Sequence, residues 1–125
     1  MPALNYQPRF GDLVERRVKP HTIRPLGKRP YKVGDPLHHF VGMRTAQCRR
    51  IGLDMCTLVR PIKITDCTVM ITIPPPGLFI VPPIDRFARA DGFRDWEEMR
   101  DWFAERYGLP FVGQLIQWAP AEWES

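Results

Sequence analysis

Lys19-Pro20-His21-Thr22-Ile23-Arg24 is the stretch on which the reading of this chain turns. Upstream, from Gln7 to Val18, the apolar residues Phe10, Leu13 and Val14 fall at helical spacing and predict a short amphipathic helix. Pro20 cannot continue that helix, so the chain changes from helix to strand inside the hexapeptide. On a strand, Thr22 and Arg24 face one way and Ile23 the other. The same six residues concentrate chemistry. A lysine is a point charge or, when desolvated, a base; a threonine hydroxyl can bond or attack; an arginine presents a rigid donor fork. By spacing alone these are polar surface residues near a strand start. Their company decides whether they form a site.

Downstream, residues 25–31 form a basic loop containing Gly27, Lys28, Arg29 and Pro30. Lys32-Val33-Gly34-Asp35 reads as a turn that launches a strand from Leu37 to Met43, with His38, Phe40 and Gly42 on one face and Leu37, His39 and Val41 on the other. Residues 44–53 show no clear period and read as a second basic loop. Two β-rich runs follow, Cys56 to Thr65 and Asp66 to Ile73; Pro61 marks the first as an edge or bulged strand. Pro74-Pro75-Pro76-Gly77 is a stiff loop, and Leu78 to Val81 adds one short strand. Ile84 to Ala90 reads as a short helix closed by Asp91-Gly92. The clearest helix runs from Asp95 to Tyr107: Asp95 and Glu98 form a capping-box pattern, Gly108 and Pro110 end it, and Trp96, Met99, Trp102, Phe103 and Tyr107 make its apolar stripe. Such a stripe is core rather than a cofactor box. Phe111 to Trp118 closes the chain as a strand. The order is that of a single α+β domain, most compactly a small bent or closed sheet with helices at one end.

Composition agrees with a globular domain. At 125 residues the chain supports one core, its 14 prolines favour short elements and stiff loops over a helical bundle, and no apolar run is long enough to cross a membrane. The N-terminal residues lack an apolar signal region, which places the protein in the cytoplasm by expectation, with Cys48, Cys56 and Cys67 as reduced thiols. Residues 1–63 carry thirteen Lys/Arg against four Asp/Glu, and residues 64–125 carry five against ten, so the net charge of +4 divides into +9 and −5. A basic half implies an electropositive face suited to phosphates, or a surface on which the two halves pair with each other.

Taken in order, Lys19-x-x-Thr22-x-Arg24, then Val33-Gly34-Asp35-x-Leu37, then Ala90-Asp91-Gly92-Phe93 leading into Trp96-Glu97-Glu98-Met99, resemble the ASCH domain family of the PUA-like superfamily. The segment from Met43-Arg44-Thr45 through Cys48-Arg49 is similar to the variant common in phages and prophages. The resemblance spans roughly Phe10 to Trp118 and makes residues 1–125 one domain with a core at about 10–118. It implies a small PUA-like β-barrel of about five to six short strands, helices packed at one end, and a cleft walled by Lys19, Thr22 and Arg24.

The resemblance also implies RNA or a nucleotide or nucleoside as partner. On this reading Arg24, Lys28, Arg29, Arg44, Arg49 and Arg50, with Arg16, Arg17, Lys19 and Lys32, supply phosphate contacts, and Tyr31 or Phe40 stacks a base. Some members of the family are amidohydrolases that deacylate N4-acetylcytidine. Their Lys, Thr and Glu correspond here to Lys19, Thr22 and Asp91, so the acid is one methylene shorter, and Pro20 restrains the lysine segment. A nuclease is a further possibility for the family. No cofactor is implied. A metal site built from His21, His38, His39, Cys48, Cys56 and Cys67 is not expected either, since no C-x-x-C or H-x-x-x-H spacing occurs and adjacent His38 and His39 point to opposite faces of a strand.

Overall fold

The computed structural model describes residues 3–27 and 30–121. Three helices and eight strands form a mixed α+β fold: β1 (Ala3–Tyr6), α1 (Pro8–Glu15), β2 (His21–Pro25), β3 (Pro36–Val41), β4 (Arg49–Met55), β5 (Leu58–Ile64), β6 (Val69–Ile73), β7 (Leu78–Ile80), α2 (Ile84–Ala90), α3 (Trp96–Tyr107) and β8 (Phe111–Gln117). The strands lie in two sheets, ordered β1-β3-β4 and β2-β8-β5-β6-β7, and no ladder among the described residues closes them into one barrel. Eight strands replace the five to six expected.

Two strands differ from the sequence expectation outright. β1 was not anticipated; it pairs in parallel with β3 from Ala3↔His38 to Tyr6↔Val41 and buries Leu4 and Tyr6. β4 takes up the second half of the supposed second basic loop and pairs antiparallel with β3, with a register shift between His39 and Phe40. Its charged residues suit an exposed sheet edge, where they discourage pairing with another chain. β5 is also not an edge strand, since β8 and β6 flank it. Pro61 is tolerated because β6 pairs only with Ile62 to Ile64, so at Pro61 the ladder continues on the β8 side alone.

α1 packs on the three-stranded sheet, while α3 packs on α2 and β8. The core joins both sheets through Leu4, Leu37, Ile62, Ile71, Leu115 and Ile116, with Phe87, Met99 and Phe103 from the helices. α3 begins with the N-cap its sequence implies, while the return bond to Glu98 comes from Arg94 N–H rather than from Asp95 N–H. The Asp95 carboxylate accepts from Glu98 N–H at 2.9 Å, and Glu98 Oε1 accepts from Arg94 N–H at 2.9 Å. Trp96, Met99 and Phe103 are buried, but Tyr107 is exposed, so the helix's apolar stripe extends beyond the core.

Candidate active site

Two helix ends build the centre of the site. At the end of α1 the Arg17 N–H donates to the Val14 carbonyl at 3.1 Å, and the N–H groups of Val18 and Lys19 both donate to the Leu13 carbonyl, at 2.9 and 3.1 Å. Arg17 holds the left-handed conformation this turn requires, with φ of 65°. Beyond Lys19, the Pro20 carbonyl accepts from Trp118 N–H at 3.0 Å, so the lysine backbone is anchored on both sides before β2 begins. The end of α2 repeats the arrangement. Gly92 N–H donates to Arg89 O at 3.1 Å and Phe93 N–H to Ala88 O at 2.9 Å, with Gly92 at φ of 105°. A Cβ on Gly92 would stand 2.9 Å from Phe10 Cδ1, so glycine also lets the second turn close on α1.

This approach brings Lys19 to Asp91, the residue that caps α2. Lys19 Nζ donates to Asp91 Oδ1 at 2.6 Å and to the Asp91 carbonyl oxygen at 2.6 Å. The ammonium therefore answers a carboxylate and the negative end of a helix together. Short as it is, the Asp91 side chain reaches the lysine because α2 delivers the backbone itself to it. His21 Nδ1 lies 3.2 Å from the same Oδ1, and its ring stacks on Phe87 at 5.1 Å between centroids. Lys19, His21 and Asp91 are all buried. Burial pushes the Lys19 ammonium below its ordinary pKa of 10.5, against the opposing pull of Asp91. Burial also raises the Asp91 carboxyl, but the charge of Lys19 and the His21 and Lys19 hydrogen bonds outweigh it and hold the group below 3.8.

Lys19, Thr22, Arg24 and Asp91 line one cleft of about 80 Å³. Its remaining walls come from β1 (Asn5, Tyr6), from Phe10 and from α3 (Trp102, Arg106, Tyr107). Arg24 Nε donates to Thr22 Oγ1 at 3.3 Å, while its Nη2 donates to the Asn5 carbonyl at 2.8 Å. Arg106 lies over the Trp102 ring at 5.2 Å. The volume is well below the roughly 300 Å³ at which pockets engulf a drug-sized ligand, so the cleft admits one end of a molecule. A larger groove of about 330 Å³ beside β5, β6 and the segment after β7 is mostly aliphatic and offers Arg60 as its charged group.

The other sequence candidates lie apart from this cleft. Arg44 is exposed in the turn after β3; Arg49 is exposed and donates to Glu15 at 2.7 Å; Arg50 is exposed on β4 opposite Phe40. Tyr31 is half-buried against the core. Lys28 and Arg29 fall outside the described residues. Of the charge pairs between the two halves of the chain, Arg9–Glu98 at 2.9 Å joins α1 to α3, and Lys19–Asp91 forms the site. No group of three or more His, Cys, Asp or Glu able to hold a metal occurs among the described residues, and Cys48, Cys56 and Cys67 are free thiols.

Sequence reasoning passed over Tyr6 and Arg106 and weighed His21 only as a metal ligand. His21 sits between Lys19 and Thr22, a position that would have suggested a role beside the acid. Tyr6 and Arg106 carry no spacing signal. Comparison with protein-family models, with curated proteins and with solved structures finds no match to this chain.

Proposed function

We propose that this is an ASCH-like, PUA-like domain whose cleft receives an acylated nucleobase amide and hydrolyses it, with N4-acetylcytidine as the model substrate. The observation that carries the reading is the buried 2.6 Å contact between Lys19 and Asp91 in the cleft that also contains Thr22. A buried lysine with a lowered pKa is a usable base once deprotonated, and a threonine hydroxyl lining the same cleft is a usable nucleophile. In the fraction of molecules whose Lys19 has given up its proton to solvent, Thr22 Oγ attacks the acyl carbonyl and its proton passes to Lys19. Collapse breaks the C–N bond, and Lys19 returns the proton to the departing exocyclic amine. Water then cleaves the acyl-threonine ester with Lys19 again as base, releasing the carboxylic acid. Asp91 holds Lys19 in place, and Arg24 polarises the threonine oxygen. The ring enters between aromatic walls and the ribose stays outside. Chromatography of purified protein with N4-acetylcytidine tests the reading: free cytidine is expected, and turnover unaffected by Lys19→Ala would overturn the mechanism.

One observation favours a second reading, binding of RNA or a nucleotide without turnover. Two acceptors at 2.6 Å hold the Lys19 proton in the resting cleft, while Arg24 and Arg106 offer cations at its walls. Four phosphate contacts on a single strand would reduce affinity by roughly fifty-fold between 50 and 200 mM salt. Affinity independent of salt in that range would remove this reading.

A further inference from the structure

The three-stranded sheet carries a polar chain that the lysine–aspartate pair does not use. Tyr6 Oη lies 2.9 Å from His39 Nδ1, and His39 Nε2 lies 3.1 Å from Asp54 Oδ2. Asp54 also accepts two bonds from Arg17, at 2.8 and 3.0 Å. His39 is fully buried and Tyr6 nearly so. Gly52 stands opposite His39 in the ladder, where a Cβ would come 3.5 Å from the imidazole, and Trp118 packs on the ring at 4.5 Å. The direction of each bond follows from chemistry. An ionised carboxylate only accepts, so Asp54 selects the tautomer with its proton on Nε2; Nδ1 is then an acceptor, and Tyr6 must donate to it.

The far end of the chain reaches the cleft. The Arg24 guanidinium lies over the Tyr6 ring, 4.9 Å from its centroid, and is tied to the carbonyl of neighbouring Asn5. β1 thus holds this guanidinium by a carbonyl and a ring while its Nε points at Thr22 Oγ1. A cation on an aromatic face keeps its place only as well as the ring does, and the bond to His39 fixes the ring. We propose that Tyr6, locked by His39 and Asp54, is a positioning residue that aims the Arg24 guanidinium at the Thr22 hydroxyl. The inference rests on the reading of Thr22 as the reacting group, yet its geometry is testable without any substrate.

The test is nitrogen-15 NMR of the full chain, following the His39 ring nitrogens and the Arg24 Nε–H, alongside N4-acetylcytidine kinetics. A neutral His39 with its proton on Nε2 is expected, and in Tyr6→Phe the Arg24 Nε–H should shift and exchange about tenfold faster. Turnover in that variant should fall about tenfold in kcat with KM within about twofold. Asp54→Asn, whose amide oxygen can still accept from Nε2–H, should retain the Arg24 signal, whereas Asp54→Ala should lose it; this pair decides the matter if Tyr6→Phe does not fold. An Arg24 signal indifferent to Tyr6→Phe and Asp54→Ala, or a His39 proton on Nδ1, would overturn the proposal. If the Arg24 response appears without turnover in the wild type, the hydrolase reading falls and the positioning role stands. Turnover with an unresponsive Arg24 has the reverse meaning.

Discussion

Lys19 Nζ stands within 2.6 Å of both the carboxylate and the carbonyl oxygen of Asp91, a residue 72 positions away in sequence. The contact joins the C-terminal ends of α1 and α2. Because both partners are buried, removal of either leaves an uncompensated charge in a poorly solvating site. Asp91→Asn or Lys19→Met alone is expected to cost about 3 kcal/mol in urea unfolding. The double variant Lys19→Met/Asp91→Leu should lie closer to the wild type than either single change. Additive losses would show that the two groups are not coupled.

The pH dependence follows from the direction of each shift. Asp91 titrates below 3.8 in the folded chain, so its contribution is present above that value and is lost as pH falls through the folded pKa. Burial, opposed by Asp54, lowers the His39 pKa below 6.5; folding thus favours the neutral ring, and stability declines as pH drops below 6.5. The urea midpoint is expected to fall in two stages on acidification. The first should be missing in His39→Gln and the second reduced in Asp91→Asn. Identical pH profiles in all three proteins would contradict these assignments.

Gly92 tests the close approach of the two helix ends. Its φ of 105° strains any side chain, and a Cβ would meet Phe10 and Leu13 at 2.9 and 3.1 Å. Gly92→Ala is expected to destabilise by about 2 kcal/mol. Thermal unfolding with no loss of stability would show that the turn has room to relax.

Arg17 pays for a left-handed conformation that glycine adopts freely, while it pairs with a largely buried Asp54 carboxylate. Arg17→Ala loses the pair and keeps the strain; Arg17→Gly loses the pair and relieves the strain. The glycine variant should be more stable than the alanine variant by about 1 kcal/mol in chemical denaturation. The opposite order would mean that this turn does not carry the strain its backbone angle implies.

Much of the fold was legible because its local signals agree. Phe10, Leu13 and Val14 mark α1, the Asp95–Glu98 cap marks α3, and alternation marks β3. β4 was not legible, since Arg49, Arg50, Gly52 and Asp54 give it a loop's composition and its strand character comes from pairing with β3. β1 is only four residues long, although Leu4 and Tyr6 alternate with exposed Ala3 and Asn5. Pro61 misled because a proline inside a strand excludes a ladder bond only on the side its nitrogen faces. For the site, Lys19, Thr22 and Arg24 fall close together in sequence, whereas the link to Asp91 came from a resemblance and not from spacing. The partnership of Tyr6, His39 and Asp54 depends on diagonal neighbours across a sheet, which no periodicity in one chain reveals.

The most direct test of the central claim is acid quenching of the protein during reaction with N4-acetylcytidine, followed by peptide mass spectrometry. An acetyl group on Thr22, with cytidine released, is the expected result; Thr22→Ala and Lys19→Ala should yield neither. Cytidine release that persists in Thr22→Ala, or no release by the wild type at any pH between about 6 and 9 where such a base would operate, would contradict the account.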